Sequence, residues 1–332
     1  MQILIKSFNR PYYLDRCLSS IQKFVVGYQK VLIMDDGTPQ KYLEIIKQKF
    51  PFVEVVYAEH YHEKEDFILK KSNHFLSIIP SKLWHQCASE ATDYFVMLED
   101  DMWFIDYINL NEINQTLETN HIEMLKLFWL GNSKLINYQD LKNENIIELC
   151  QPKLSIFNDF YFHWIYRRLQ RLNRIKTFLG LYKKDQLLDY YSIYGVAGMI
   201  FKKEYYLALW LNNQLKVDEM QQLKNGISYI KTKGKYPVAK TVNEVLKTGF
   251  ISAATNSNKE HYESQLDMFL FNQLINDFWS KNELDVLENF PNDFSKDYIF
   301  EKLKSHNLLL AEKWLNWHTE FKQQYIKLGC EI

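Results

Sequence analysis

The chain has 332 residues, with 40 Lys plus Arg against 41 Asp plus Glu and a formal charge of −1. Hydrophobic residues make up 47% and charged residues 24%, the balance of a globule with a sizeable core, which excludes a disordered or collagen-like chain and argues against a globally basic nucleic-acid binder. The four cysteines form no CxxC pair and the histidines no HExxH, so zinc-cluster and thioredoxin-like chemistry is excluded by spacing.

In chain order, Ile3–Ile5 reads as a strand that ends in the polar loop Lys6–Pro11. Tyr13, Leu14, Cys17, Leu18 and Ile21 recur at helical spacing. Val31–Met34 is a second strand, stopping at Asp35-Asp36-Gly37-Thr38-Pro39, and Tyr42–Ile46 suggests a second helix. Val53–Val56 is a third strand, residues 73–92 read as a helix, and Tyr94–Leu98 is a fourth strand that runs into Glu99-Asp100-Asp101. Strands alternating with helices imply βαβ units and a parallel sheet, whose ligand sits outside the carboxyl ends of the strands. The clusters Lys6–Arg10, Asp35–Asp36 and Glu99–Asp101 all fall at such ends.

Later elements are sparser. Glu123–Leu130 suggests a strand, Tyr194–Phe201 a small-residue turn into a strand, Phe250–Ala254 a late strand and Leu266–Phe278 a helix. Residues 160–184 carry seven basic residues and no acid, in the pattern of a basic amphipathic helix. That window suits an anionic membrane surface, an anionic acceptor, or pairing with the acidic remainder of the chain. Residues 280–332 read as Trp- and Leu-rich helices. The N-terminus has no basic leader with an apolar core, and no stretch of about 18 apolar residues exists, so a cytoplasmic protein without a membrane span is expected.

Glu99 and Asp101 are hard oxygen donors one residue apart at a strand mouth, a spacing that suits Mg²⁺ or Mn²⁺ with a diphosphate completing the shell. The bland alternative is a solvated loop with a helix cap. Residues 3–38, through Ile3-Leu4-Ile5-Lys6-Ser7-Phe8-Asn9-Arg10-Pro11 and Ile33-Met34-Asp35-Asp36-Gly37-Thr38, resemble the opening of a family 2 glycosyltransferase of the GT-A fold. Phe95–Asp101 resembles that family's DxD metal-binding segment, with Glu99 where Asp is usual.

The resemblance implies a GT-A-type, Rossmann-like, mostly parallel sheet flanked by helices, with a helical C-terminal appendage. It implies a nucleotide-sugar-binding half over 1–105, an acceptor-binding half over 106–279 that contains the basic insertion at 160–184, and the appendage over 280–332. It implies transfer of a sugar from a UDP- or GDP-sugar to a glycan or lipid-linked acceptor, with inversion, in cell-surface polysaccharide or glycoconjugate synthesis. Phe8, Asn9, Arg10 and Asp36 would hold the base and ribose, with Lys6 and Asp35 in the same loops and Asp100 near the ribose or metal. Glu99 and Asp101 would bind Mn²⁺ or Mg²⁺.

Lys71, with Lys70, Ser72 and Asn73, precedes the helix read over 73–92, and is either a diphosphate contact helped by that helix start or a solvated basic turn. Asp267, near the start of the late helix, is either the base, with Glu263 in reserve, or an ordinary helix-surface or capping acid. Sugar-nucleotide pyrophosphorylases and GxGxxG oxidoreductases are disfavoured because residues 6–13 contain no Gly. A non-catalytic nucleotide-sugar-binding or interaction protein on the same scaffold is the alternative.

Overall fold

The computed structural model describes residues 1–168, 184–211, 216–256 and 262–332. The first half holds β1 (Gln2–Ser7), α1 (Pro11–Phe24), β2 (Val25–Val26), β3 (Lys30–Asp35), α2 (Gln40–Lys49), β4 (Val53–Tyr57), α3 (Tyr61–Ile68), α4 (Ser81–Glu90) and β5 (Tyr94–Glu99). Next come β6 (Met102–Phe104), β7 (Ile108–Asn109), α5 (Leu110–Thr119), β8 (Met124–Lys126), β9 (Tyr138–Glu144), β10 (Ile147–Pro152) and α6 (Asp159–His163). The remainder is β11 (Met199–Lys202), α7 (Lys203–Leu209), α8 (Glu219–Ile230), β12 (Val238–Thr241), β13 (Leu246–Thr248), α9 (Met268–Ser280), α10 (Lys296–His306) and α11 (Leu308–Lys327).

Nine strands form one sheet in the order β4-β3-β1-β5-β11-β8-β12-β10-β9. β1 pairs in parallel with β3 and β5, β3 with β4, and β8 with β12. β11 runs antiparallel between β5 and β8. In β1 and β3 the apolar residues on both faces are buried, as a parallel strand covered by helices requires. α1, α2 and α9 pack together, and α4, α7 and α8 form a second helical layer. The α/β class and the helix-flanked, mostly parallel sheet expected from the sequence are what the chain adopts.

Several local expectations differ. Residues 73–80 are irregular and only Ser81–Glu90 is helical, because Pro80 has no N–H and fits at the helix start. The segment 250–254 is not a strand; β12 and β13 lie just before it instead. The strand expected over 123–130 is confined to Met124–Lys126. In the basic window, Asp159–His163 is helical and Trp164–Arg168 continues as a π-type turn, while residues 169–183 lie outside the described residues.

The end of α9 and the segment that follows it are tied to α1. Arg16 is fully buried and donates to the carbonyls of Val286 (2.7 Å), Glu288 (3.2 Å) and Asn292, while lying 4.4 Å from the Trp103 ring centroid. Tyr13 Oη donates to Asp293 at 2.9 Å, and Trp279 Nε1 to Asp15 at 2.9 Å.

Candidate functional site

The site forms where β3, β1 and β5 end side by side, with Ser7 opposite Asp35 and Lys6 opposite Glu99 in register. The Asp35 turn closes on itself. Asp35 Oδ1 accepts from the N–H of Gly37 (3.0 Å) and Thr38 (2.7 Å), and Thr38 Oγ1 accepts from the Asn9 N–H (2.8 Å). Gly37 sits at φ +131, and a Cβ there would lie 2.5 Å from Lys64 Cβ, so the turn needs a glycine. Burial pushes the Asp35 carboxyl up to about 6, against the pull of these amides.

Asp36 points the other way. Its Oδ2 accepts from Lys64 Nζ at 2.5 Å, and the same ammonium donates to the Ile78 carbonyl at 2.5 Å. Burial pushes Asp36 up to about 7, opposed by Lys64. Asp36, Lys64, His60, Ile78 and Pro80 line a cavity of about 120 Å³.

The acid turn after β5 is closed from a distance. Arg10 Nη2 donates to Asp100 Oδ1 at 2.5 Å and Arg10 Nη1 to Asp101 Oδ2 at 2.7 Å, with all three residues buried. The Phe8 N–H donates to Asp100 Oδ2 at 3.0 Å. Burial pushes Asp100 up to about 7, against the pull of Arg10. Burial also raises Glu99, opposed by Lys6. Lys6 itself donates to the Val196 carbonyl at 2.9 Å and lies 4.3 Å from the Trp84 ring centroid; burial lowers it to about 8. Asn9 is fully buried at φ 53, with Asn276 Nδ2 donating to both its oxygens at 3.1 Å.

The acid turn fits a divalent cation in one respect. Asp101 Oδ1 is buried and has no hydrogen-bond partner, a costly state for a carboxylate oxygen that a cation would relieve. Among the described residues no group of three or more His, Cys, Asp or Glu is placed to hold a metal. The turn therefore offers a partial ligand set, of the kind a diphosphate completes.

No protein-family model matches the chain, and no curated protein matches it. Among solved structures, S. aureus TarS is similar at 12% identity and a TM-score of 0.39, over 92% of this chain; this chain spans 42% of that one. TarS 1-349 in complex with UDP-GlcNAc is similar at 14% identity and a TM-score of 0.38, over 96% of this chain and 72% of that one. Glucosyl-3-phosphoglycerate synthase from Mycobacterium tuberculosis, in complex with Mn²⁺ and UDP-glucose, is similar at 12% identity and a TM-score of 0.37, over 72% of this chain and 67% of that one. These scores all lie below 0.5. The GT-A-like fold is seen in the chain's own sheet, where β11 alone is reversed between β4 and β12.

The late helix comes close to the same loops through an aromatic cluster. Phe8 lies 6.4 Å from Phe269 and 5.9 Å from Phe75, and Phe269 lies 4.8 Å from Phe75 and 5.0 Å from Phe67. Asp267 is the N-cap of α9: its Oδ1 accepts from the N–H of Phe269 (3.0 Å) and Leu270 (3.3 Å) and from Asn256 Nδ2 (3.1 Å). It lines a cavity of about 430 Å³ with Phe67, Lys70, Ser72, Asn73 and Phe269. Lys71 points elsewhere, exposed and 3.3 Å from Asp66. These residues follow the end of α3 and precede no helix N-terminus, contrary to the expectation that a helix start would help them hold an anion. Glu263 is exposed, and its N–H donates to Glu320.

Gly195 and Gly198, in the small-residue turn before β11, are packed: added Cβ atoms would meet Met199 at 1.8 Å and Phe128 at 2.1 Å. Sequence reasoning missed Lys64 and named Thr38 only as part of the turn motif. Lys64 sits on α3, a helix that gave too weak an apolar period to be read, whereas Thr38 follows a DDG turn and was legible as a turn partner.

Proposed function

We propose that this chain is a glycosyltransferase that moves a sugar from a UDP- or GDP-sugar to an acceptor hydroxyl with inversion, on a glycan or lipid-linked acceptor of cell-surface polysaccharide synthesis. One observation carries this: three polar loops at the ends of adjacent strands are cross-linked into a single acid-lined mouth, the first loop reaching the acid turn through Arg10 and the Phe8 amide and the Asp35 turn through the Asn9 amide and Thr38.

In this reading residues 1–105 hold the donor, 106–279 the acceptor, and the helices after 280 brace both. Asp36, lining its own small cavity, holds the base, and the Phe8–Arg10 loop the ribose. Lys6, Asn9 and Asp35 keep those loops in place. Glu99 and Asp101 hold Mn²⁺ or Mg²⁺ beside the donor diphosphate, with Asp100 fixed behind them; the cation supplies Lewis-acid neutralisation of the leaving group. Lys70, at the mouth of the Asp267 cavity, takes the diphosphate contact first assigned to Lys71. Asp267 accepts the proton of the attacking hydroxyl, its carboxylate aimed by the cap. The Phe8, Phe67, Phe75 and Phe269 rings keep water from the reacting centre.

Among the described residues no helix is long and apolar enough to cross a membrane. Exposed Phe157 just before the basic window, and Phe160, Tyr161 and Trp164 at its start, support a peripheral contact on the cytoplasmic membrane face. The test is the melting temperature with Mn²⁺ and a panel of UDP-, GDP- and CMP-sugars. Stabilisation is expected only when metal and one nucleotide are both present; no stabilising pair would sink the proposal.

A further inference from the structure

Three buried lysines share one face of the sheet. Lys6 lies opposite Glu99, Met97 opposite Met199, Met199 opposite Lys126, and Lys126 opposite Lys240. Residues directly opposite point the same way, as do residues two apart, so Met97 and Glu99 carry the face from one strand pair to the next. Two of the three ammonium groups are engaged. Lys6 has the Val196 carbonyl and Trp84. Lys240 has the Glu148 carboxylate, and lies 5.0 Å from the Trp129 ring centroid.

Lys126 differs. It is 3% exposed, yet among the described residues its ammonium group has no hydrogen bond and no ion pair. The acid that acts on it, Glu244, spends its Oε1 on the N–H groups of Trp129 and Gly131. Lys126 Nζ keeps a trace of solvent exposure. Burial lowers this lysine to about 7. Burying an uncompensated ammonium at a position where an apolar side chain would pack is costly. Lys126 ends β8 at the same sheet edge as the acid turns, on the far side of β11 from them.

We propose that Lys126 is an anion subsite that receives a phosphate or carboxylate group of the acceptor. That the anion belongs to an acceptor rests on the glycosyltransferase reading; the anion site does not. A charge-assisted contact of this kind is about tenfold or more in affinity.

The experiment measures melting temperature with UDP and Mn²⁺ at saturation, so that the diphosphate site is filled. Inorganic phosphate is then titrated at constant ionic strength into wild type, Lys126→Met and Lys126→Arg, with acetate as a parallel probe. Phosphate or acetate is expected to stabilise wild type and Lys126→Arg, with an apparent Kd about tenfold or more weaker in Lys126→Met. Phosphate alone points to a phosphate-bearing acceptor, and acetate alone to a carboxylate-bearing one. Equal stabilisation of wild type and Lys126→Met, or none of wild type by either anion, overturns the subsite. Absence of the initial UDP–Mn²⁺ shift in wild type counts instead against the donor reading with that nucleotide.

Discussion

Two acid turns stand side by side and are held by opposite means. The Asp35 turn is closed by amides two and three residues away. The Asp100–Asp101 turn is closed by Arg10, about ninety residues earlier, and by the Phe8 amide. The first turn is a local unit that any strand end with this sequence can form. The second exists only when β1 and β5 are already neighbours. The difference separates a turn that shapes the site from one whose charges are kept in suspension by the fold.

The largest effect should come from Asp101→Asn, which leaves Arg10 in place but removes the charge on the unpartnered oxygen. Transfer should fall by about 10²–10³, and stability should fall by less than in Arg10→Gln because Asp100 still holds the guanidinium; near-wild-type turnover at limiting Mn²⁺ would show that the acid turn holds no cation. Asp267→Asn should slow transfer by at least about a hundredfold while donor binding survives. A cap alone predicts intact chemistry and at most about 1–2 kcal/mol of lost stability, so kcat and melting temperature on one preparation decide between them.

Arg10→Gln tests the distant closure. Breaking a buried pair leaves uncompensated carboxylates and should cost about 3–5 kcal/mol in denaturant unfolding. Asp35→Asn, which keeps an oxygen for the two amides, should cost less, about 1–3 kcal/mol; the reverse order would erase the contrast between the turns. Asp36→Ala should raise donor KM about tenfold or more with kcat little changed, as loss of uniform binding does.

The smallest effect is a pH slope. Burial depresses His318 to about 4, so between there and its ordinary 6.5 the unfolded chain binds the extra proton and stability falls as pH falls. Asp35, Asp36 and Asp100 are shifted up, so they bind protons in the folded state first and push stability the other way. His318→Gln should therefore flatten the acid-side loss between pH 6.5 and 4 in melting curves. An unchanged slope would place the acid sensitivity elsewhere.

The same contrast explains what was legible. The buried apolar runs Ile3–Ile5 and Val31–Met34 announce central parallel strands, and the acids after β3 and β5 announce a mouth. Nothing local says that Arg10 crosses to Asp100 and Asp101, because the partners are far apart in sequence. The resemblance placed Arg10 at the nucleotide, and the structure shows it on the acids. β12 and β13 escaped notice because they are short and interrupted by Lys240, Lys247 and Thr248, while Phe250–Ala254 drew attention by composition alone. Lys126, inside an apolar run, carried no signal until its register partners were known.

The carbonyl cage around Arg16 has a consequence for biosynthesis. Its donor sits on the first helix and its acceptors begin 270 residues later. At roughly 5–20 residues per second, a ribosome needs on the order of ten to fifty seconds to deliver them. Throughout that interval the guanidinium must stay hydrated, and α1 cannot settle against Trp103 in its final form. The N-terminal half thus waits for the last seventh of the chain before its first helix is sealed.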